Sequence, residues 1–186
     1  SSPFLDAGPV FNFNSMEVDL RLCDSNPKSG VHVCAGDSIT VSFGTPYTAD
    51  HISFVRQEHF SWYPVDYPES RFALSVSDNG VDYSSIGEIC FKGINSAVNC
   101  EIPEVSARYF KLKCLGDYFF VGEMELLPKD GTASYGLGFR NFLARTYSGN
   151  GTSPDGYYMD LTEGAGFVPF DSVIDITGKM DRRGRL

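Results

Sequence analysis

The chain has 186 residues and is acidic, because 24 Asp and Glu against 15 Lys and Arg give it a formal net charge of −9. A surface of this sign repels phosphate backbones, and no Lys/Arg run coincides with an aromatic stretch, so we expect no nucleic-acid partner. Hydrophobic residues make up 42% of the chain, which excludes a largely disordered protein. No apolar run approaches the roughly 18 residues of a membrane-spanning helix, so we expect no transmembrane segment.

Short segments in which apolar and polar residues alternate follow one another along the chain, as is typical of half-buried strands. The alternating apolar positions, in chain order, are Val18, Leu20 and Leu22; Ile39, Val41 and Phe43; Ile52 and Phe54; Phe72, Leu74 and Val76; Phe110, Leu112 and Cys114; Val121, Met124 and Leu126. The turn formers Gly44-Thr45-Pro46 and Asp78-Asn79-Gly80 end two of the segments. No segment has a sustained helical period. The sequence therefore predicts an all-β, antiparallel β-sandwich of the jelly-roll type with little helix.

The turn-forming sequence Pro128-Lys129-Asp130-Gly131 indicates a boundary. We expect residues 8–128 to form the sandwich and residues 129–186 to form a Gly/Tyr-rich C-terminal extension, with a strand at 172–176. The apolar residues of the extension favour packing on the sandwich over a loosely ordered linker.

Five cysteines suggest a framework of disulfides. Cys23 and Cys34 flank a stretch rich in turn formers, and so do Cys90 and Cys100, so each pair is predicted to lie at the ends of paired strands within bridging distance. Cys114 is left over, either as a buried thiol or bonded to another chain. The sequon at Asn150 adds a candidate glycosylation site, and together these features indicate a secreted or cell-surface protein.

Three blocks in the predicted sandwich share the order and spacing of a known family. They are residues 38–47 with 51–56, residues 72–83, and residues 107–112 with 121–126. The third begins Ala107-Arg108-Tyr109 and is similar to the "Ala-Arg-Tyr-Val-Arg-Ile" strand of the discoidin superfamily. This superfamily includes coagulation-factor type C domains and family 32 carbohydrate-binding modules. The chain resembles these galactose-binding-like domains over about 90 residues.

The resemblance implies an extracellular, non-catalytic module that binds a glycan or glycoprotein, or that mediates adhesion. The alternative is a structural subunit of a larger surface, virion or matrix assembly, with the extension as the interface to other protein subunits. Residues 8–37 depart from the family, because they lack the opening "Asp-Gly-Xaa-Xaa-Xaa-Thr-Xaa-Trp" loop that often frames a calcium site. We therefore expect no cofactor, and calcium remains an open alternative.

The predicted ligand-binding segment is the loop 56–71, which combines the chain's one Trp with charged and aromatic residues. A sugar needs an aromatic face for its C–H surface and planar polar groups for its hydroxyls. The resemblance also implies a ligand Arg just after this strand. The candidates are Arg56, Glu58, His59, Trp62 and Tyr63. In the alternative interpretation Trp62 plugs the end of the barrel and Arg56 pairs with Glu58 or Asp66.

A second candidate is the aromatic turn around Tyr118, which either stacks on a ligand or packs in the core. Catalysis is not expected. Glu123 and Glu125 share a strand face, as a glycosidase pair would, but solvated strand residues do so often. Nucleophile, zinc-protease and phosphate-binding motifs are absent from the sequence.

Overall fold

The computed structural model describes residues 2–24, 29–57, 70–91, 96–116, 119–134 and 165–169. They form helix α1 (Pro3–Asp6) and strands β1 (Val10–Phe13), β2 (Met16–Val18), β3 (Val31–Val33), β4 (Ser38–Gln57), β5 (Ser70–Ser77), β6 (Ser84–Phe91), β7 (Ser96–Cys114), β8 (Phe119–Leu127) and β9 (Ala165–Pro169). All strand pairs are antiparallel. The prediction of an all-β sandwich with little helix is confirmed. No helix in the described ranges is long and apolar enough to cross a bilayer.

Two long strands, β4 and β7, make a single sheet fold over on itself. Ser38–Ser42 of β4 pair with the second half of β7 and also with β1. Beyond a register shift between Ser42 and Tyr47, β4 pairs with the first half of β7 and also with β8. The first layer is thus β2-β1-β4-β7-β5-β6-β9, and the second contains β3, β8 and the other halves of β4 and β7. Sequence analysis placed a turn at Gly44-Thr45-Pro46; here the strand continues through it as a bulged corner.

The registers define two ends of the sandwich. At the loop end, Gln57 lies beside Phe120, Ser70 beside Phe91, and Arg56 beside Ser96. At the opposite end, called the hairpin end, β4 and β7 turn their corners and residues 78–83 connect β5 to β6.

Aromatic rings fill the space between the layers. Phe43 stacks on Tyr47 at a centroid distance of 4.3 Å, and Phe4 of α1 meets Phe11 and Phe43 at 5.9 Å each. Phe54 of one layer stacks on Phe72 of the other at 5.9 Å. Helix α1 is held by its cap, since Ser2 Oγ accepts a hydrogen bond from Leu5 N. The corner of the sheet is therefore packed from inside by rings and from the N-terminal side by the helix.

The strand predicted around Val18, Leu20 and Leu22 is shorter than the alternation indicates. β2 ends at Val18, and the Asp19 carboxylate accepts hydrogen bonds from Arg21 N and Nε, which turns the chain. Leu20 is consequently 50% exposed, whereas Leu22 is buried at 1%. The alternation of apolar residues in the sequence therefore continues by chance through a turn. The hydrogen bonds between Asp19 and Arg21 create this turn.

A segment of the C-terminal extension adds a strand to the sheet. β9 pairs with β6, in a register that places Gly87 opposite Pro169 and Ile89 opposite Phe167. A Cβ on Gly87 would lie 2.3 Å from Val168 O and 2.5 Å from the Phe167 ring. Only glycine fits under β9 at this point. The strand expected at 172–176 lies outside the described residues.

The five cysteines are thiols, so neither predicted disulfide is formed in the structure. Cys34 is exposed, next to the buried Val33, whereas Cys23 is only 5% exposed. Cys100 is fully buried opposite Ile52, and Cys90 is half-buried beside Ile89. Turn formers between two cysteines indicate that the chain reverses there, but they do not show that the two sulfur atoms are bonded.

Of the two alternatives for Cys114, the structure shows the buried thiol, whose Sγ donates to Gly116 O at 3.3 Å.

Replacing Gly87 by Ala should displace β9, because the new methyl group overlaps the β9 backbone and the Phe167 ring. We expect faster hydrogen exchange of the amides of residues 165–169 and a loss of about 1–3 kcal/mol in the free energy of unfolding. Gly44→Ala is the matched control, because a Cβ there meets nothing within 4 Å. Unchanged exchange at β9 in Gly87→Ala would contradict this packing.

Stability should fall in alkaline solution because of the buried thiols. Burial raises the pKa of Cys100 to about 12, and burial with the charges of Glu123, Glu125 and Asp24 raises the pKa of Cys23 to about 12. An unfolded thiol ionises near pH 8.5, so the folded state binds more protons and loses stability from about pH 9 to pH 12.

The measurement is urea unfolding at a series of pH values, together with peptide mapping after alkylation at pH 8. Cys34 should be alkylated in the native protein, and Cys23 and Cys100 only after unfolding. A mass two or four units lower than that of the fully reduced chain would show instead that disulfides form.

Candidate functional site

The loop end brings together both segments that sequence analysis selected for ligand binding. Arg56 lies beside Ser96 of β7 and Val121 of β8, and Gln57 beside Phe120. The start of the loop 56–71 therefore lies next to the strand that follows the Tyr118 turn. Two candidate segments that are about 60 residues apart in sequence emerge from neighbouring strand ends.

Individual side chains of this site are not all described. The structure gives the backbone of Arg56, and Glu58, His59, Trp62, Tyr63 and Tyr118 lie outside the described residues, as does the sequon at Asn150. These assignments stay predictions.

Hydrogen bonds between loops fix the frame of the loop end. Gly36 N donates to Cys114 O at 2.8 Å and Leu115 N to Arg71 O at 2.9 Å. On the neighbouring side, Asn14 Nδ2 donates to the Asp37 carboxylate at 2.9 Å, and Ser38 N donates to Asn14 Oδ1 at 2.8 Å. These bonds tie together the strand ends from which the two candidate segments continue.

Glu123 and Glu125, considered above as solvated strand residues, are both 0% exposed. Met124 and Leu126 lie opposite Phe54 and Ile52 between the layers, so the two glutamates are on the outer face of β8. That face is covered, because Ser2 and Ser134 both reach the Glu125 carboxylate. The expectation of solvation was wrong, since alternation along one strand cannot reveal a covering segment from another part of the chain.

The Glu125 carboxylate is held by serines from both sides of the fold. Oε1 accepts a hydrogen bond from Ser2 Oγ at 2.7 Å, and Oε2 accepts from Ser134 N at 3.1 Å and Oγ at 2.5 Å. A buried carboxylate needs such donors to offset its lost hydration. These contacts give Glu125 a structural task, joining the N-terminal helix and residue 134 to β8.

The hairpin end contains a pocket of about 250 Å³, which sequence analysis did not predict. Its walls are Val76, Ser77, Asp78, Asn79, Asp82, Ser84, Ser106 and Ala107. Most of its polar groups hold the turn itself: Gly80 N donates to Ser77 Oγ at 2.9 Å, and Asn79 Oδ1 accepts from Val81 N and Asp82 N at 2.8 Å each. The sequence signal was Asp78-Asn79-Gly80, which was interpreted correctly as a tight turn.

Among the residues that the structure describes, no group of three or more His, Cys, Asp or Glu side chains is arranged to hold a metal ion. The clustered oxygens at residues 78–82 are engaged in the turn, with Asn79 Nδ2 donating to the Asp82 carboxylate at 2.9 Å.

Solved structures of known proteins have the same fold. No family model and no curated protein matches the chain. A CBM32 module from Clostridium perfringens, solved in complex with GalNAc-β-1,3-galactose, aligns with a TM-score of 0.53 at 16% identity, covering 68% of this chain and 99% of that one. The C-terminal domain of a chitobiase from Bacteroides fragilis aligns with a TM-score of 0.51 at 17% identity, covering 71% and 98%. The predicted similarity in fold to family 32 carbohydrate-binding modules is confirmed.

Removing both serine hydroxyls from Glu125, in Ser2→Ala with Ser134→Ala, should destabilise the protein. The carboxylate keeps its burial but retains only the backbone donor of residue 134, so we expect a loss of about 1–3 kcal/mol in urea unfolding. Ser85→Ala, at an exposed strand position, is the control and should change little. A double variant as stable as the wild type would show that the covering segment is held by other contacts.

Proposed function

We propose that the chain is a non-catalytic carbohydrate-binding module that acts outside the cell and binds its glycan at the loop end. The observation that carries this proposal is the convergence of the two candidate segments: Gln57 and Phe120 are direct neighbours in the sheet. The fold gives support, since one module of the same architecture is solved with a disaccharide.

The chemistry of the loop sequence fits a sugar. Trp62 and Tyr63 supply flat apolar rings, and Arg56, Glu58 and His59 supply donors and acceptors for hydroxyl groups. Tyr118 belongs to the second candidate segment and offers a further aromatic ring for the ligand.

A non-catalytic role is supported by the state of the acidic residues. Glu123 and Glu125 are buried under the N-terminal segment, so they are not available to a glycosidic bond. The extracellular location is supported by the sequon at Asn150.

The alternative of a structural subunit rests on the extension and on Cys114, the cysteine left over from the two predicted pairs. In the structure, Cys114 is buried and residues 165–169 complete the domain's own sheet. Both features are used within the chain, so we rank this alternative second.

Arg56→Ala and Trp62→Ala should each weaken glycan binding at least tenfold, because Arg and Trp dominate such contacts. The measurement is a glycan array with the wild-type chain, with and without a chelator, followed by titration of the best glycan with each variant. Arg21→Ala is the matched control, since Arg21 pairs with Asp19 at the surface beyond β2.

A blank array together with a second polypeptide that co-purifies with the chain would favour the structural subunit. Binding that the chelator abolishes would add calcium to the site, and turnover of a glycoside would overturn the non-catalytic assignment.

A further inference from the structure

The outer face of the first layer carries two lysines among short side chains. Phe110 and Leu112 of β7 are fully buried, so Lys111 and Lys113 alternate onto the opposite, outer face. The register places Lys111 between Thr40 of β4 and Ser75 of β5, and Lys113 between Ser38 and Ala73. We call these six residues the lysine face.

The lysine face is unusual in its charge. Cross-strand neighbours of a lysine in a sheet are commonly acids, yet the four positions beside Lys111 and Lys113 carry Ser, Thr and Ala. The nearest acid in the Lys113 row is Glu88, one strand further, and it is paired with Arg71. Among the described residues neither lysine forms an ion pair. In a chain of net charge −9, this sheet face is locally cationic.

Aromatic rings close one end of the face. The Lys111 ammonium lies 4.1 Å from the centroid of the Tyr83 ring, so the connection between β5 and β6 folds over the outer surface and fixes this lysine. In the same connection Gly80 permits the Tyr109 ring to approach, since a Cβ there would lie 3.0 Å from the ring. Tyr83 and Tyr109 thus lie at the Lys111 end of the lysine face.

We propose that the lysine face binds a linear, carboxylate-bearing (uronic-acid) polysaccharide. Lys111 and Lys113 have Cα atoms roughly 7 Å apart on one face of the same strand, and two such cations suit a chain with regularly repeated carboxylates. The flanking hydroxyls of Ser38, Thr40 and Ser75 match sugar hydroxyls, and the short side chains leave room for a flat polymer. The carbohydrate class rests on the proposed function, but the surface is separate from the loop end.

A nucleic acid fits this surface less well. Two cations on a strongly acidic chain give too few phosphate contacts for stable binding. An acidic protein segment could pair with the two lysines. It would leave the hydroxyl groups of the lysine face and the tyrosines at its end without a matching partner.

The test compares polygalacturonate with its fully methyl-esterified form, using the full chain in low and high salt. We expect binding to polygalacturonate only, which weakens on addition of 0.5 M salt. The double variant Lys111→Gln with Lys113→Gln should bind about tenfold more weakly. Lys129→Gln, in the turn after β8, is the matched control and should bind like the wild type.

The variants of the two surfaces separate the two proposals. Arg56→Ala and Trp62→Ala should keep binding to polygalacturonate, and the double lysine variant should keep any neutral glycan found on the array. Equal binding of both polymer forms, unchanged binding in the double variant, or equally strong binding of polyglutamate would each overturn the proposal. Thermal unfolding checks that the double variant is folded. We expect a folded protein, because both substitutions are on the outer face.

Discussion

Continuous pairing between β4 and β7 through a shared corner is the constraint on which the rest of the fold depends. Their backbones pair from Ser38 to Arg56 with two register shifts, so one sheet becomes two layers without a break in the ladder. The stacked rings of Phe43 and Tyr47 occupy the inside of the bend. Since the same two strands belong to both layers, bending at one end of the sandwich determines that their free ends meet at the other. The loop end is thus a consequence of the corner.

Much of this architecture is visible in the sequence because it depends on local periodicity. The alternating residues Ile39, Val41, Ile52, Phe54, Leu74 and Leu112 are all buried as the pattern indicates. Periodicity does not show whether a turn former ends a strand or only introduces a bulge, because this depends on the strand that pairs with it. At residues 44–46 the turn formers introduce a bulge. The boundary at Leu20 has the same origin, since a single Asp19 side chain overrides the alternation.

The candidate sites show a second limit. Sequence composition points to the loop 56–71 through its Trp and Arg. The alternation pattern, however, assumes that each strand has only one covered face. β8 has two, since Glu123 and Glu125 are buried on its outer face and Ser2 and Ser134 hold the Glu125 carboxylate there. The contact with Ser2 joins residues 123 positions apart and has no local signature. The two disulfide assignments failed as well, because spacing along the chain does not specify where the two sulfur atoms lie.

The covered and uncovered faces of the sandwich suggest how one small module can present two surfaces. The carboxylates on the outer face of β8 are buried, and the chain's own donors hold that of Glu125, so negative charge is taken out of contact with solvent there. Among the described residues, the two lysines on the outer face of β7 have short neutral cross-strand neighbours. A sheet that buries carboxylates on one face, and carries lysines without acidic cross-strand neighbours on another, gains directional charge despite its overall acidity. This asymmetry follows from residue placement alone, and it gives the lysine face a cationic character that net charge conceals.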